Sequence, residues 1–352
     1  MKKTIVITGG GTAGHIMPNI ALLPEIKKHF DKIYYLGSKN SMEEKLIKDY
    51  KYINFVAIPT TKLIRTLTLK NLSIPFKLFW AIHKTKKILK QIKPNIIFCK
   101  GGFVSVPVAI AGKKLNLPIV SHESDLSLGL ANKIILKRAN VMCTSFEDTA
   151  KINKKCVCTG SPVRKQILSG RANVVITEFK GYNSALPTVL FFGGSLGAKN
   201  INELVFSSLE ELSKKYNIIH IVGKDNSKKQ NINNYYQLEF TSTIENLFAL
   251  ADVVVCRGGA NSLFELLAIA KPMLIIPLSK AQSRGDQIEN AKYFKNKGYA
   301  EMMLEEEMNT KLLLQNINKV LANRNKYISN MKSAKANNAN KNIIDIILKN
   351  CR

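Results

Sequence analysis

The sequence predicts an α/β protein with two domains, each built on a parallel sheet. Short apolar segments of strand length alternate along the chain with amphipathic segments of helical period, which is typical of parallel sheets. One device also occurs twice: an apolar strand runs directly into a glycine-rich turn, as TIVITGGGTAGHIMP from Thr4 and as TVLFFGGSLGAKN from Thr188. In a chain of 352 residues, this repeat indicates two domains of ordinary size.

The first series of strands predicts a domain of residues 1–163. Its predicted strands are residues 4–8, 33–36, 55–58, 96–99, 119–122 and 141–144. Ser41, with Glu44 three residues later, predicts a capping box at a helix start. Pro18 suits the first turn of the helix that follows the first glycine-rich turn.

The second series predicts a domain of residues 164–339. Its predicted strands begin at Thr188 and continue with residues 218–222, 238–240, 252–256, 274–277 and 300–304. Residues 170–187 are polar and weakly periodic, as expected of a linker. The tail from residue 309 has helical periodicity, and we expect its last helix, residues 340–352, to pack back on the first domain.

The composition favours a cytoplasmic protein. No apolar segment reaches the roughly 20 residues that a membrane-spanning helix needs. Gly9, Gly10 and Gly11 end the first apolar stretch too early for a signal peptide. The six cysteines are scattered without zinc-ligand spacing, and most lie where a reduced thiol packs as a small apolar group.

The net charge of +28 points to an anionic partner: nucleic acid, an anionic membrane surface or an anionic substrate. Much of this charge is spread over the whole chain, but residues 62–93 hold nine Lys or Arg, no Asp or Glu and the only Trp. A helix here would present an aromatic group made of Phe76, Phe79 and Trp80. Such a helix suits the headgroup region of an anionic leaflet. The alternative is a helix that packs Leu78, Ile82 and Leu89 on its own sheet, and the apolar band is broad enough for both.

The first glycine-rich turn satisfies the G-x-G-x-x-G pattern of dinucleotide-binding domains with Gly9, Gly11 and Gly14. The acidic residue that should follow the second strand is missing, because that strand ends in Leu-Gly-Ser at residues 36–38. Instead, His15 places an imidazole at the end of the first strand. We therefore disfavour a dinucleotide and retain an anionic ligand at the helix start.

Other polar clusters follow predicted strands, where open α/β sheets bind ligands. In the first domain these clusters are CKGGFVSVP from Cys99, HESDLSLGLANK from His122 and TGSPVR from Thr159. In the second domain, CRGGANSLFE places Glu265 on a helix after a strand, where its carboxylate can accept from both hydroxyls of a ribose. The chain has no Asp-x-Asp. We therefore expect a nucleotide diphosphate to be held by backbone N–H groups, Ser195 and Arg164 rather than by a metal.

These motifs, in this order, resemble the MurG family of bacterial peptidoglycan glycosyltransferases over nearly the whole chain. The most specific are GGTAGHIMP, KGGFVSVP, HESDLSLGLANK, GSPVR, GGSLGA and CRGGANSLFE. The resemblance implies the GT-B fold, with two Rossmann-like domains facing a cleft. It implies transfer of N-acetylglucosamine from UDP-N-acetylglucosamine to the 4-hydroxyl of lipid I, giving lipid II, with inversion and without a metal or other cofactor. It also implies a peripheral place on the cytoplasmic face of the cell membrane, against its anionic inner leaflet, with other cell-wall synthesis enzymes as further partners.

The resemblance also implies roles for individual residues. The donor-binding positions are Thr12, Ala13, Gly14, Arg164, Ser195 and Gln287. Glu265 would hold the uridine ribose, and the backbone at Thr241 matches a segment that reads uracil. Where many relatives have Asn after His-Glu-Gln, this chain has Asp125 after His-Glu-Ser, so a donor contact from an amide is not expected there.

An inverting transfer needs a base that takes the proton of the acceptor hydroxyl. We predict His15 for this role, because imidazole is the side chain best suited to proton exchange near neutral pH. Glu123 or Asp125 could orient His15 or replace it. Two other classes remain open: another enzyme acting on UDP-N-acetylglucosamine, such as a 2-epimerase or a glycolipid synthase, and a nucleic-acid-binding module. Charge alone supports the second, and we expect no nucleic-acid partner.

Overall fold

The computed structural model describes residues 3–61, 73–194, 197–334 and 338–352. The chain divides into two compact units. The first comprises Met1–Val163 with Asn338–Arg352, and the second comprises Arg164–Asn337. Within the described ranges, none of the helices combines the length and the apolarity that a bilayer crossing needs.

The first unit contains a sheet of seven parallel strands. The strands are β1 (Thr4–Thr8), β2 (Lys32–Gly37), β3 (Ile53–Ala57), β4 (Ile96–Cys99), β5 (Ile119–Glu123), β6 (Val141–Thr144) and β7 (Cys156–Cys158). Their order is β3-β2-β1-β4-β5-β6-β7, with Ile5 of β1 opposite Ile33 and Ile96. The strand order extends from β1 to β2 and β3 on one side and continues with β4 on the other side, so β1 and β4 flank a topological switch point. Open α/β sheets bind ligands at the carboxyl ends of the strands at such a point.

Helices cover both faces of this sheet. They are α1 (Ala13–His29), α2 (Met42–Ile47), α3 (Ile74–Ile92), α4 (Ser105–Lys114), α5 (Leu130–Leu136), α6 (Glu147–Ala150) and, from the far end of the chain, α14 (Ala339–Asn350). Alternate residues of β1 enter different cores. Ile5 and Ile7 belong to the cluster that contains Ile343 of α14, and Val6 belongs to the cluster on the opposite face.

The second unit contains a sheet of six parallel strands in the order β10-β9-β8-β11-β12-β13. The strands are β8 (Thr188–Phe192), β9 (Asn217–Ile221), β10 (Tyr235–Leu238), β11 (Val253–Cys256), β12 (Met273–Ile275) and β13 (Glu301–Met302). The helices are α7 (Ala172–Ile176), α8 (Lys199–Ser213), α9 (Ile244–Leu250), α10 (Ala260–Ala268), α11 (Asp286–Asn296), α12 (Thr310–Ala322) and α13 (Arg324–Ser333). This sheet also has a topological switch point, which lies between β8 and β11.

Most predicted strands are confirmed, and the exceptions have physical causes. β7 was missed because it is a three-residue strand in which only Cys156 is buried. The predicted strand at residues 238–240 lies earlier, because Tyr235 to Leu238 pair with β9. The predicted linker at residues 170–187 is wrong in part: it contains α7, which buries Val175.

Two helix-start predictions have different outcomes. Pro18 lies inside α1 rather than in its first turn, because the helix already begins at Ala13. The Ser41 cap is confirmed, since its hydroxyl accepts from the N–H of Glu44. The carboxylate of Glu44 accepts from Asn40 N–H at 2.6 Å, so the return bond of the capping box goes to the residue before the cap.

Candidate active site

The first glycine-rich turn and the loop after β4 pack so closely that only glycine fits at their contact. A Cβ added at Gly11, whose φ is +85°, would lie 2.5 Å from the ring of Phe103. A Cβ added at Gly102, whose φ is +76°, would lie 2.3 Å from Gly10 O. Real Cβ atoms do not approach so closely, and both positions have a backbone conformation that favours glycine. The two loops therefore form one surface at the carboxyl ends of β1 and β4.

A buried carboxylate supports the first turn from behind. Glu43 of α2 accepts from Gly11 N at 3.4 Å and from Ser38 N at 3.0 Å. One of the backbone N–H groups expected to serve an anionic ligand is thus engaged by the protein itself. Glu43 was not predicted from the sequence, because an acidic residue in the first turn of a helix is ordinarily a solvent-exposed helix-end residue.

His15 lies in the first turn of α1 and is partly exposed. Its Nδ1 is 2.9 Å from Thr12 Oγ1, which fixes the rotation of the ring. If Nδ1–H donates to the threonine hydroxyl, Nε2 carries the lone pair that a general base needs. Thr12, Ala13 and Gly14 occupy the start of the same helix, so four of the predicted residues lie together.

The loop after β5 is organised around the buried Glu123. Its Oε1 accepts from Asp125 N at 3.1 Å, and its Oε2 accepts from Gly129 N and Asn132 Nδ2, both at 3.0 Å. Both carboxylate oxygens thus hold the loop in shape. Asp125, in contrast, is partly exposed at the start of that loop.

His122 is buried beside this loop and is neutral. Burial and the nearby charge of Lys100 hold the pKa of His122 well below its ordinary value, and the hydrogen bond to Gly160 only partly opposes them. With Nε2–H donating to Gly160 O at 3.0 Å, Nδ1 is left as a buried acceptor with no partner among the described residues. This geometry gives His122 a structural role.

Lys100 belongs to the CKGGFVSVP motif but was not predicted to be a functional residue. It follows β4 directly, its side chain is buried, and its Nζ donates to Ser124 Oγ at 2.7 Å. Burial lowers the pKa of Lys100 to about 8, although the carboxylates of Glu123 and Asp125 act in the opposite direction. The signal in the sequence was a lysine set directly between an apolar strand and two glycines.

In the second unit, the glycine-rich turn after β8 leads into α8. Gly194 and Gly197 have φ values of +96° and +76°. A Cβ added at Gly197 would lie 2.3 Å from Val222 O, whereas one added at Gly194 would meet no atom of the described residues within 4 Å. The predicted donor residue Ser195 lies outside the described residues.

Arg164 and Glu265, two predicted donor residues, bind each other. Arg164 Nε lies 2.7 Å from Glu265 Oε1, and Arg164 Nη2 lies 2.9 Å from Glu265 Oε2. Burial alone would lower the pKa of Arg164, but the hydrogen bonds and charge of Glu265 raise it above its ordinary value. A carboxylate has about four lone-pair sites, so Glu265 can still accept from hydroxyl groups while it binds the arginine.

Gln287 joins two loops of the second unit. Its Oε1 accepts from Gly258 N at 3.2 Å and from Leu278 N at 3.1 Å. It also lines a cavity of about 180 Å³ together with Gly193, Lys199 and Arg257. This cavity lies after β8 and β11, the two strands at which the strand order of the sheet reverses.

Arg257 is a second residue that the sequence analysis did not single out. It is buried directly after β11 and donates through Nη2 to Glu305 and through Nη1 to Ile276 O. Arg257 lies in the wall of the cavity, where its charge is paired with the buried carboxylate of Glu305. Thr241, the predicted uracil position, follows β10, and its hydroxyl accepts from Thr243 N–H at 3.1 Å.

The predicted aromatic group lies on the outer face of α3. Phe76, Phe79 and Trp80 are 79%, 69% and 54% exposed. Ile82 and Leu89 pack on the core of the sheet, as the alternative interpretation predicts, whereas Leu78 is partly exposed and is not a member of that core cluster. Lys84 Nζ lies 5.7 Å from the centre of the Trp80 ring. The part of the basic segment at residues 62–72 lies outside the described residues.

Comparison with known families matches both units. Residues 5–144 match the glycosyltransferase family 28 N-terminal domain, and residues 188–347 match the glycosyltransferase family 28 C-terminal domain. The chain belongs to glycosyltransferase family 28. The fold class predicted from the sequence, with two parallel-sheet Rossmann-like units of the GT-B type, is thereby confirmed.

Relatives within family 28 extend over the whole chain. The UDP-N-acetylglucosamine--N-acetylmuramyl-(pentapeptide) pyrophosphoryl-undecaprenol N-acetylglucosamine transferase of Clostridium tetani (strain Massachusetts / E88) is 45% identical, covering 99% of this chain and 98% of the relative. The crystal structure of Acinetobacter baumannii MurG superimposes with a TM-score of 0.77 at 25% identity, covering 99% of both chains. The resemblance to the MurG family is therefore confirmed.

A third comparison concerns the epimerase alternative. The UDP-GlcNAc 2-epimerase of Neisseria meningitidis, bound to UDP-GlcNAc, superimposes with a TM-score of 0.67 at 13% identity. It covers 99% of this chain, and the whole epimerase chain is matched. At this identity the likeness shows a common fold and nothing about the reaction.

Proposed function

We propose that this chain transfers N-acetylglucosamine from UDP-N-acetylglucosamine to the 4-hydroxyl of the N-acetylmuramoyl unit of lipid I, giving lipid II for peptidoglycan synthesis. The observation that carries the proposal is the 45% identity, over 99% of the chain, to the Clostridium tetani transferase whose name states this donor and acceptor. The 2-epimerase alternative rests on a likeness of fold at 13% identity, so we do not favour it.

The second unit holds most of the proposed donor site, and Thr12, Ala13 and Gly14 of the first unit are the remaining donor positions that the resemblance implies. Glu265, held by Arg164, accepts from the ribose hydroxyls, and the backbone at Thr241 reads the uracil. Backbone N–H groups at the start of α8 bind the diphosphate. Ser195 and Gln287 are further donor contacts, and Gln287 lines the cavity of about 180 Å³ described above. The start of a helix favours negative charge, and this charge grows on the diphosphate as UDP leaves. The absence of Asp-x-Asp from the sequence supports a transfer without a metal.

The first unit is the proposed acceptor site. The 4-hydroxyl passes its proton to Nε2 of His15, and its oxygen forms the new bond to the anomeric carbon. The bond from that carbon to the UDP oxygen breaks, and UDP leaves with the electron pair. Attack from the side opposite to UDP inverts the configuration. The Thr12–His15 hydrogen bond at 2.9 Å supports His15 as the base, with Asp125 as the alternative and Glu123 in a positioning role.

We place the enzyme on the cytoplasmic face of the cell membrane, as a peripheral protein. The proposed acceptor is lipid-linked, so the enzyme must meet it at the surface. The aromatic group Phe76, Phe79 and Trp80, exposed on a helix with lysines and no acidic residue, supports contact with an anionic leaflet. Contact with other cell-wall synthesis enzymes is an expectation from the resemblance alone.

The decisive experiment is incubation with UDP-N-acetylglucosamine and a lipid I analogue in the presence of EDTA, followed by mass analysis. We expect an acceptor heavier by one N-acetylhexosamine and an equal amount of released UDP. A change of the sugar nucleotide without acceptor would identify an epimerase instead. Transfer to diacylglycerol but not to the lipid I analogue would identify a glycolipid synthase.

A further inference from the structure

Lys100 joins the two loops that carry the proposed acceptor chemistry. Its backbone N–H donates to Thr8 O at 2.8 Å, at the end of β1. Its Cβ lies 2.9 Å from the place where a Cβ on Gly9 would stand, so its backbone lies against the first glycine-rich turn. Its Nζ reaches Ser124 Oγ at 2.7 Å, in the loop after β5. One side chain therefore spans the distance between the turn of His15 and the loop of Asp125.

A buried ammonium group is costly unless nearby groups offset its charge. Lys100 is 1% exposed. The negative charges that act on it are the carboxylates of Glu123, at the end of β5, and of Asp125, in the loop that follows. His122, also on β5, is kept neutral by burial and by the charge of Lys100. From α1, the backbone carbonyl of His15 lies 2.8 Å from the place where a Cβ on Gly9 would stand, so the start of this helix packs against the same turn.

We propose that Lys100 is a positioning residue for the transfer, whose ammonium holds the Ser124-Asp125 segment in place through its hydrogen bond to Ser124. The proposal rests on the proposed function, because it assigns Lys100 a task in the acceptor half of that reaction. It also gives a physical reason for an acid at position 125. An amide there would remove one of the two negative charges that act on the buried lysine.

The charge state of Lys100 gives this role a distinct pH dependence. Burial lowers its pKa to about 8, so the ammonium is lost as the pH rises through that value. The positioning, and with it turnover, should then decline. Stability should change in the opposite direction. Between pH 8 and the ordinary lysine pKa of 10.5, the unfolded chain binds more protons at this group than the folded chain does, so the free energy of unfolding rises with pH.

The test is the pH profile of turnover and of stability in the wild type, in Lys100→Met and in Lys114→Met. Lys114 is an exposed lysine of the same unit and serves as the matched control. For the wild type we expect kcat to fall above about pH 8 while stability to denaturant does not fall. Lys100→Met should lose about 10²-fold in kcat, as expected when reacting groups are displaced by about 1 Å. It should lack the alkaline decline and keep the KM for UDP-N-acetylglucosamine, whereas Lys114→Met should match the wild type.

A double variant tests the link to Asp125. If Lys100 acts through Asp125, Lys100→Met/Asp125→Asn should be no less active than Lys100→Met alone, because the second change removes a group that is already displaced. Losses that multiply would overturn the proposal, and so would a wild-type profile without an alkaline decline. The wild-type comparison holds even if Lys100→Met fails to fold. A wild type that forms no transfer product at any pH would instead refute the proposed function.

Discussion

Arg164 and Glu265 form a two-bond ion pair, with Nε to Oε1 at 2.7 Å and Nη2 to Oε2 at 2.9 Å, although 101 residues separate them in the chain. The pair joins the segment that opens the second unit to α10. The guanidinium therefore fixes the direction of the carboxylate that is proposed to bind the ribose. Preorganisation of this kind lowers the entropy that binding must overcome.

We expect Glu265→Ala to weaken UDP binding by about 1–3 kcal/mol, the range for hydrogen bonds to a charged group. Calorimetry with UDP and with a deoxyuridine analogue measures this effect. The analogue should lose less affinity in the variant than UDP does, because part of the lost contact is to the ribose. Arg164→Met should also weaken UDP binding, since it leaves Glu265 without its partner. Equal losses for UDP and the analogue in Glu265→Ala would contradict a ribose contact.

His15→Ala should lower kcat by about 10²–10⁴, the usual contribution of general acid–base catalysis. UDP affinity should be nearly unchanged, because the charged residues proposed to bind UDP, Arg164 and Glu265, lie in the second unit. Thr12→Val, which removes the hydroxyl beside Nδ1, should cause a smaller loss. Steady-state kinetics together with calorimetry separates the two effects. If His15→Ala is fully active and Asp125→Asn is not, the base is Asp125.

Gly197→Ala should abolish or strongly weaken UDP binding, because its Cβ would lie 2.3 Å from Val222 O and would displace the turn. The matched control is Gly181→Ala. Gly181 has the same φ of +76°, but an added Cβ would meet no described atom within 4 Å, so the change costs only the left-handed backbone strain of about 1–2 kcal/mol. Thermal unfolding should show this strain in both variants and a further loss of stability in Gly197→Ala, and calorimetry should show a loss of UDP affinity only in Gly197→Ala. A control that also loses UDP would rule out the steric explanation.

Replacement of Phe79 and Trp80 by Ser should reduce binding to anionic vesicles and activity on a long-chain acceptor, while activity on a short soluble acceptor is kept. The two side chains are 69% and 54% exposed, so their loss should hardly affect folding. Ile152→Ser, at a position 54% exposed elsewhere in the same unit, is the matched control and should leave vesicle binding unchanged. Vesicle sedimentation at low and high salt measures the contact. Equal losses on both acceptors would mean that the aromatic residues support the fold.

The sequence predicted the elements and residues whose signals are local. Apolar strands followed by glycines, and the motifs around His15, Glu123 and Glu265, can be read from adjacent residues. Lys100 and Glu43 could not be predicted, because their roles depend on partners distant in sequence. Lys100 reaches Ser124 across 24 residues, and Glu43 reaches Gly11 across 32. Composition alone does not show which of the 53 Lys and Arg residues are buried, because burial, as of Lys100 and Arg257, is determined by tertiary packing.

The return of α14 to the first unit affects the order in which the protein can fold during synthesis. Ile343, Ile344 and Ile347 complete the same core as Leu22, so the ribosome must make the whole second unit before the first can close. The second unit is continuous in sequence and can fold as soon as it emerges. Until α14 arrives, the first unit exposes an unfinished apolar face. A chain truncated before α14 should therefore keep UDP binding while the unit that carries His15 becomes the target of proteases and chaperones.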